Sequence, residues 1–221
     1  MKKVLLGLLG VAALGFVGVL GAASMQPDVL HVERSITVTA AAGDISPYMT
    51  DLNKWGLWNP WKDIDPAMKM TYSDPASGVG AWYEWTGNDE VGHGKMAVKS
   101  IAENKVEHDL EFFSPWQAVS VVTFTMTASG DETKISWAID QNQQFMGKVA
   151  GVFMDMDTML GADFDKGLKQ LRPLVEADAT ARKEAEAAAA ALAAAAALPV
   201  DPNAPVEPNA PVVPAAVAAA P

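Results

Sequence analysis

Three histidines, no cysteine and an excess of acidic over basic side chains bound the chemistry open to this chain. Without a thiol it has no thiolate nucleophile, no disulfide and no Cys-based zinc or iron–sulfur site. His108 is the titratable side chain of most interest, because it shares the parity of Leu110 and Phe112 in a strand-like run and so points toward an apolar face. It reads either as a core or rim histidine whose hydrogen bonds are satisfied or as a contact to a bound molecule. His93 lies between Gly92 and Gly94 near a turn, with no partner evident in the sequence. Arg34 shares a face with Val32 and Ile36; buried, it would need a carboxylate, and the simpler expectation is an arginine at the frayed end of its strand. Asp155 and Asp157 invite a metal, but helical positions two apart do not share a face. Met159 and Leu160 stand where a calcium loop requires acidic and glycine residues, so these aspartates are expected to be solvated or to link helices. No nucleophile motif, phosphate loop or zinc spacing occurs, and no catalytic residue, metal or cofactor is assigned.

The richer signal is aromatic. Trp55, Trp58 and Trp61 recur every three residues, so two or three of them meet on one side of a helical turn, as a gate at a cavity mouth or as a small core pinning a loop. Strand parity turns Tyr83 and Trp85, Met96 and Val98, Leu110 and Phe112, and Ile135, Trp137 and Ile139 inward. A solid core and a ligand cavity need the same apolar side chains, so these residues alone leave both open.

The elements that position them are legible in order. Leu30–Thr39 alternates as a half-buried strand. Asp44 and Ser46-Pro47 carry helix-start chemistry, predicting a short helix over Ile45–Leu52 and a second reaching Trp58. From Met70 the chain reads as strands at Ala81–Thr86, Gly94–Ile101, Val106–Phe113, Ala118–Thr127 and Thr133–Asp140, joined by short turns; six or seven strands so connected predict an antiparallel meander. After Asn142 the period changes, and Phe145, Val149, Val152, Met156, Leu160, Phe164, Leu168, Leu171 and Val175 mark one long amphipathic helix. Its four glycines weaken it, and Pro173 should end or kink it. The fold class is α+β, with the helix laid across the sheet.

Two flanking stretches differ in composition from this middle. Val4–Ala23 holds twenty residues without a charge, preceded by Lys2 and Lys3; as a helix it reaches about 30 Å, the thickness of a bilayer's hydrocarbon. It reads as an uncleaved transmembrane anchor, or as a signal segment cleaved near Ala22-Ala23-Ser24 with secretion to the periplasm. The basic end stays in the cytoplasm, and both readings put the domain on the extracytoplasmic side. From Asp178 the chain is Ala-rich and then carries VDPNAP at Val200–Pro205 and VEPNAP at Val206–Pro211, a low-complexity spacer favouring extended polyproline II. The chain thus divides into an anchor or signal over 1–24, a domain over 25–177 and a tail over 178–221. With 16 basic against 27 acidic residues and a net charge of −11, the charge balance argues against binding nucleic acid or an anionic lipid surface through bulk charge.

Several motifs taken together resemble a known family: His31-Val32-Glu33-Arg34-Ser35-Ile36, the Trp55, Trp58-Asn59-Pro60-Trp61 cluster, Asp65-Pro66, Gly78-x-Gly80-Ala81, Trp85-x-Gly87, and Phe153–Asp157 with Gly161-x-Asp163-Phe164 and Gly167-Leu168. Over Leu30–Glu176 the chain resembles the bacterial polyketide cyclase/dehydrase-like members of the START-related (SRPBCC, helix-grip) superfamily. The resemblance implies a curved seven-stranded antiparallel sheet gripping a long C-terminal helix, with a cavity for a small hydrophobic ligand, lipid-like or polyketide-like, between them. The residues that would line it are Trp55, Trp58 and Trp61; Tyr83, Trp85 and Met96; His108, Leu110 and Phe112; and Trp137, Val152, Met156 and Leu160. The expectation is a membrane-anchored, non-catalytic binding protein. Its rivals are a cyclase/aromatase-type enzyme in which His108, Tyr83 or Arg34 steers proton transfer, and an envelope interaction module that docks through the Trp-rich segment and the tail.

Overall fold

The computed structural model describes residues 2–115 and 117–196, without the side chains of residues 2–9, 11 and 12. The repeats at Val200–Pro211 lie outside the described residues. The chain divides into a unit of Met1–Arg182 and a second of Lys183–Pro221.

Alternation of apolar and polar side chains gives seven strands: β1 (Val29–Val38), β2 (Lys69–Tyr72), β3 (Trp82–Thr86), β4 (His93–Ala102), β5 (Lys105–Ser114), β6 (Ala118–Ser129) and β7 (Glu132–Asn142). They form one antiparallel sheet in the order β1-β7-β6-β5-β4-β3-β2. β2 to β7 is the predicted meander, and β1 returns to pair with β7 along its length, Val32 opposite Ile139 and Arg34 opposite Trp137. The pleat buries alternate residues, for example Val106, His108 and Leu110 in β5 and Val122, Phe124 and Met126 in β6.

Between β1 and β2 the sequence suggested one helix over Ile45–Leu52 and a second to Trp58. The structure instead holds three single turns, α2 (Ala42–Ile45), α3 (Pro47–Thr50) and α4 (Leu52–Trp55), then a 3-10 turn at Pro60–Asp63. The interruption at Asp51 has a physical cause. Its backbone is extended and bridges Ser77, while its side chain accepts the Asn53 N–H and so caps α4.

The predicted long helix is two. α5 (Phe145–Phe153) ends at Met154, and α6 (Met156–Ala196) begins where the Asp155 carboxylate accepts both the N–H and the hydroxyl of Thr158. Asp155 is therefore a helix-linking residue. Pro173 does not end α6. Proline withdraws one helical hydrogen bond, but Leu171, Val175 and Ala179 on either side are fully buried, and that packing outweighs the local cost. The core lies between the inner face of the sheet and the stripe of Phe164, Leu168, Leu171 and Val175.

At the N-terminus α1 (Lys2–Ser24) is helical, as the apolar run predicts, and packs against α5. Among the described residues no helix is long and apolar enough to cross a membrane; most side chains of the first half of α1 fall outside that set.

Candidate functional site

The site is built from three sources of aromatic rings. The short helical turns deliver Trp55, Trp58 and Trp61, the sheet contributes Tyr83, Trp85, Phe124 and Trp137, and α6 contributes Phe164. Trp137 is the hub. Phe164 stacks on it at 4.1 Å and 10°, while Trp55, Trp58 and Trp61 meet it edge-on at 5.5, 5.4 and 5.9 Å. These are the offset and edge geometries that aromatic quadrupoles favour. A second branch runs from Trp55 through Tyr83 and Trp85 to Phe112.

Glycines admit this packing. A Cβ at Gly167 would lie 2.8 Å from the Trp137 ring and 3.2 Å from Pro60, so α6 can settle on the cluster only because that side chain is missing. A Cβ at Gly94 would meet the Trp85 ring and the Glu111 carbonyl at 2.5 Å, because Trp85 lies across the strand opposite Gly94.

Most polar atoms inside find partners. Trp55 Nε1 donates to the Tyr83 hydroxyl at 3.0 Å, Trp58 Nε1 to the Tyr48 carbonyl at 3.2 Å, and Trp85 Nε1 to the Val91 carbonyl at 3.2 Å. Trp61 Nε1 donates to Asp163, whose pKa is raised by partial burial against the opposing pull of that bond. Burial also raises the Tyr83 hydroxyl. Three buried side-chain atoms, Trp137 Nε1, His108 Nδ1 and Gln170 Oε1, have no partner among the described residues, and the first two lie in the aromatic interior. His108 is 0% exposed, its Nε2 lies 2.8 Å from the Met49 carbonyl, and burial pushes its pKa down to about 4 against a smaller upward pull from that carbonyl. The ring is therefore neutral at pH 7. Nε2 must carry the proton to donate to Met49, which leaves a bare acceptor lone pair on Nδ1. The interior thus holds one unused acceptor and one unused donor, both on side chains that touch Phe124.

The sequence-predicted residues fall into three groups. Trp55, Trp58, Tyr83, Trp85, Met96, His108, Leu110 and Trp137 are buried together; Trp61, Phe112 and Leu160 are partly buried at the margin; Val152 and Met156 lie outside the core. The space between sheet and α6 is occupied by Trp55, Trp58, Phe124, Trp137 and Phe164 in ring-to-ring contact. A half-open recess of about 450 Å³ lies instead between β1 and α6, lined by Ser35, Ile36, Asp165, Leu168, Lys169 and Arg172. Phe124 and Phe164 were missed as site residues, although Val122-x-Phe124-x-Met126 carries the same alternation used for β5.

Two readings of single residues are corrected. Arg34 is mid-strand, not frayed. Its guanidinium donates to both carboxylate oxygens of Asp157, at 3.1 and 2.9 Å, and lies in the notch left by Gly161. That pair holds the Asp157 carboxyl below its usual range and ties β1 to the start of α6. His93 does have a partner, Glu84 Oε1 at 2.9 Å, and its ring meets Phe113 edge-on. Among the described residues no group of three or more His, Asp or Glu is disposed to hold a metal.

Residues 29–176 match the family described as polyketide cyclase / dehydrase and lipid transport. The fold is similar to that of the di-domain ARO/CYC StfQ from the steffimycin biosynthetic pathway, at 10% identity and a TM-score of 0.50 over 69% of this chain and 52% of that one. A protein from Chromobacterium violaceum aligns at 13% identity and a TM-score of 0.49, over 68% of this chain and 99% of that one. The Aha1 dimer from Colwellia psychrerythraea aligns at 16% identity and a TM-score of 0.46, over 66% and 96%. No curated protein matches the chain in sequence.

Proposed function

Because the chain belongs to the polyketide cyclase/dehydrase and lipid transport family, we propose that its domain binds a small apolar molecule carrying a single polar group between the sheet and α6, without covalent chemistry. The observation that carries this reading is the pair of unpartnered atoms inside an otherwise apolar interior, the His108 Nδ1 acceptor and the Trp137 Nε1 donor. Leaving such an atom unsatisfied costs roughly 1–3 kcal/mol, and one hydroxyl, both donor and acceptor, can donate to the first and accept from the second. Entry requires the rings to part. Met96 and Met126, in the same interior, are the unbranched side chains best able to repack around a guest. The family description, which couples cyclase/dehydrase with lipid transport, supports an apolar guest.

The uncharged run Val4–Ala23 behind Lys2 and Lys3 supports anchoring through α1, with the domain on the extracytoplasmic side. One observation favours a second reading: the rings already touch across the interior, as they would in a solid domain that acts through its surface on an envelope protein.

Native mass spectrometry of the full chain, released from its own membrane in mild detergent and followed by organic extraction, separates the two. The binding reading expects a stoichiometric apolar passenger. Absence of a passenger, together with no uptake from a total lipid extract, would leave the surface-acting reading.

A further inference from the structure

α5 contradicts the ordinary rule for apolar helices. A helix apolar on all sides is normally buried, yet FMGKVAGVF at Phe145–Phe153 buries none of its residues. Met146 is 73% and Phe153 72% exposed, and Phe145 and Met154 extend the same apolar surface. Its one charge, Lys148, is paired with Asp28. In a chain of net charge −11, residues 141–154 contain no acidic side chain.

Three features identify what covers this surface. α5 packs against α1, so its exposed apolar side chains are carried on a helix that touches the N-terminal one. The link from α1 to β1 is four residues, Met25–Asp28, which can reach no more than about 14 Å. Both ends of that short link are fastened, since Ala23 is fully buried, Gln26 lies beside Gly151, and Asp28 holds Lys148. Any surface that takes up α1 therefore meets α5 as well.

We propose that α5, with Met154, is a membrane-contacting helix that lies in the headgroup boundary of the bilayer beside the end of α1. This rests on the anchor reading of α1 given above. The occupant is a neutral lipid surface: the patch offers apolar side chains and no free positive charge, so burial of apolar area drives the contact. α5 immediately precedes α6, so contact at α5 would set the domain's sheet-and-helix interior next to the lipid.

The absence of cysteine allows the test in the full chain. Single replacements Leu14→Cys, Met146→Cys, Phe153→Cys and Asp131→Cys, all at exposed positions, are labelled with an environment-sensitive fluorophore and reconstituted into phosphatidylcholine vesicles carrying nitroxide on the acyl chains. Asp131 precedes the end of β7 opposite to the one that leads into α5, about 35 Å along the strand. Emission is expected to fall about twofold or more at positions 14, 146 and 153 and to be unchanged at 131. Quenching at 14 with none at 146 or 153 overturns the proposal while the anchor stands, and makes the patch a protein-binding face. Quenching at 146 and 153 without 14 keeps the lipid contact and removes the anchor. No quenching at 14, 146 or 153 overturns both.

Discussion

Replacing His108 by glutamine should make the protein's acid sensitivity measurably smaller. The native ring is fully buried, with its pKa pushed from 6.5 down to about 4, chiefly by desolvation. The folded state therefore takes up its proton at lower pH than the unfolded chain. His108 stays neutral in both states well above pH 6.5, and below that the unfolded state is protonated first. Stability is thus fully present above about pH 6.5 and is lost as pH falls toward 4. Between about pH 7 and about pH 4.5 the loss from this one group is on the order of 2.5 kcal/mol. His108→Gln retains an N–H able to reach the Met49 carbonyl and removes the titration. Urea unfolding of both proteins at the two pH values, followed by tryptophan emission, gives the quantity needed. Carboxylates titrate alike in both chains and cancel in the difference between them. The wild-type advantage at neutral pH should shrink by roughly 2.5 kcal/mol at the acid value and can reverse sign. A difference that does not change with pH would refute the buried neutral histidine and the bare Nδ1 lone pair inferred from it.

Three further outcomes follow from the packing. Phe164→Ala removes the ring stacked on Trp137 at 4.1 Å and should lower stability by about 3–5 kcal/mol in chemical unfolding. Gly94→Ala drives a methyl into the Trp85 ring and the Glu111 carbonyl; a loss of roughly 3 kcal/mol is expected, with a changed near-ultraviolet spectrum because Trp85 must move. A double-mutant cycle on Arg34→Ala and Asp157→Ala should give only a weak coupling that fades with added salt, since both side chains reach solvent. The same cycle on a Gly161→Ala background should give less, because the new methyl occupies the guanidinium's place.

Much of the sheet was legible because its two faces see different solvents. Wherever one face is buried, a period of two is imposed on the sequence, and β3 to β7 could be bounded within a residue or two at most ends. The same parity placed His108, Tyr83 and Trp137 inside. What could not be read depended on partners distant in the chain. Arg34 looked like a strand end because Asp157 lies 123 positions away, and Gly161 and Gly167 looked like weak points in a helix although they are the notches that receive Arg34 and Trp137. Pro173 looked like a stop because local propensity does not register the burial of Leu171 and Val175. Whether the aromatic interior stands open or closes on itself depends on side-chain rotation, which the pattern of residue types does not encode. Val152 and Met156 continued the helical stripe, but the break at Met154-Asp155 turns α5, with Val152, out of the core and leaves Met156 half-buried at the first position of α6.

The central claim is that the interior opens to an apolar guest whose polar group meets His108 and Trp137. It is tested most directly by the indole N–H resonances of the full chain in lipid nanodiscs, with that of Trp137 assigned by Trp137→Phe, during titration with decanol and separately with decane. The account predicts a saturable downfield shift of the Trp137 resonance with decanol as its N–H gains an acceptor, and a smaller change with decane. A Trp137 resonance that stays fixed under both would contradict it.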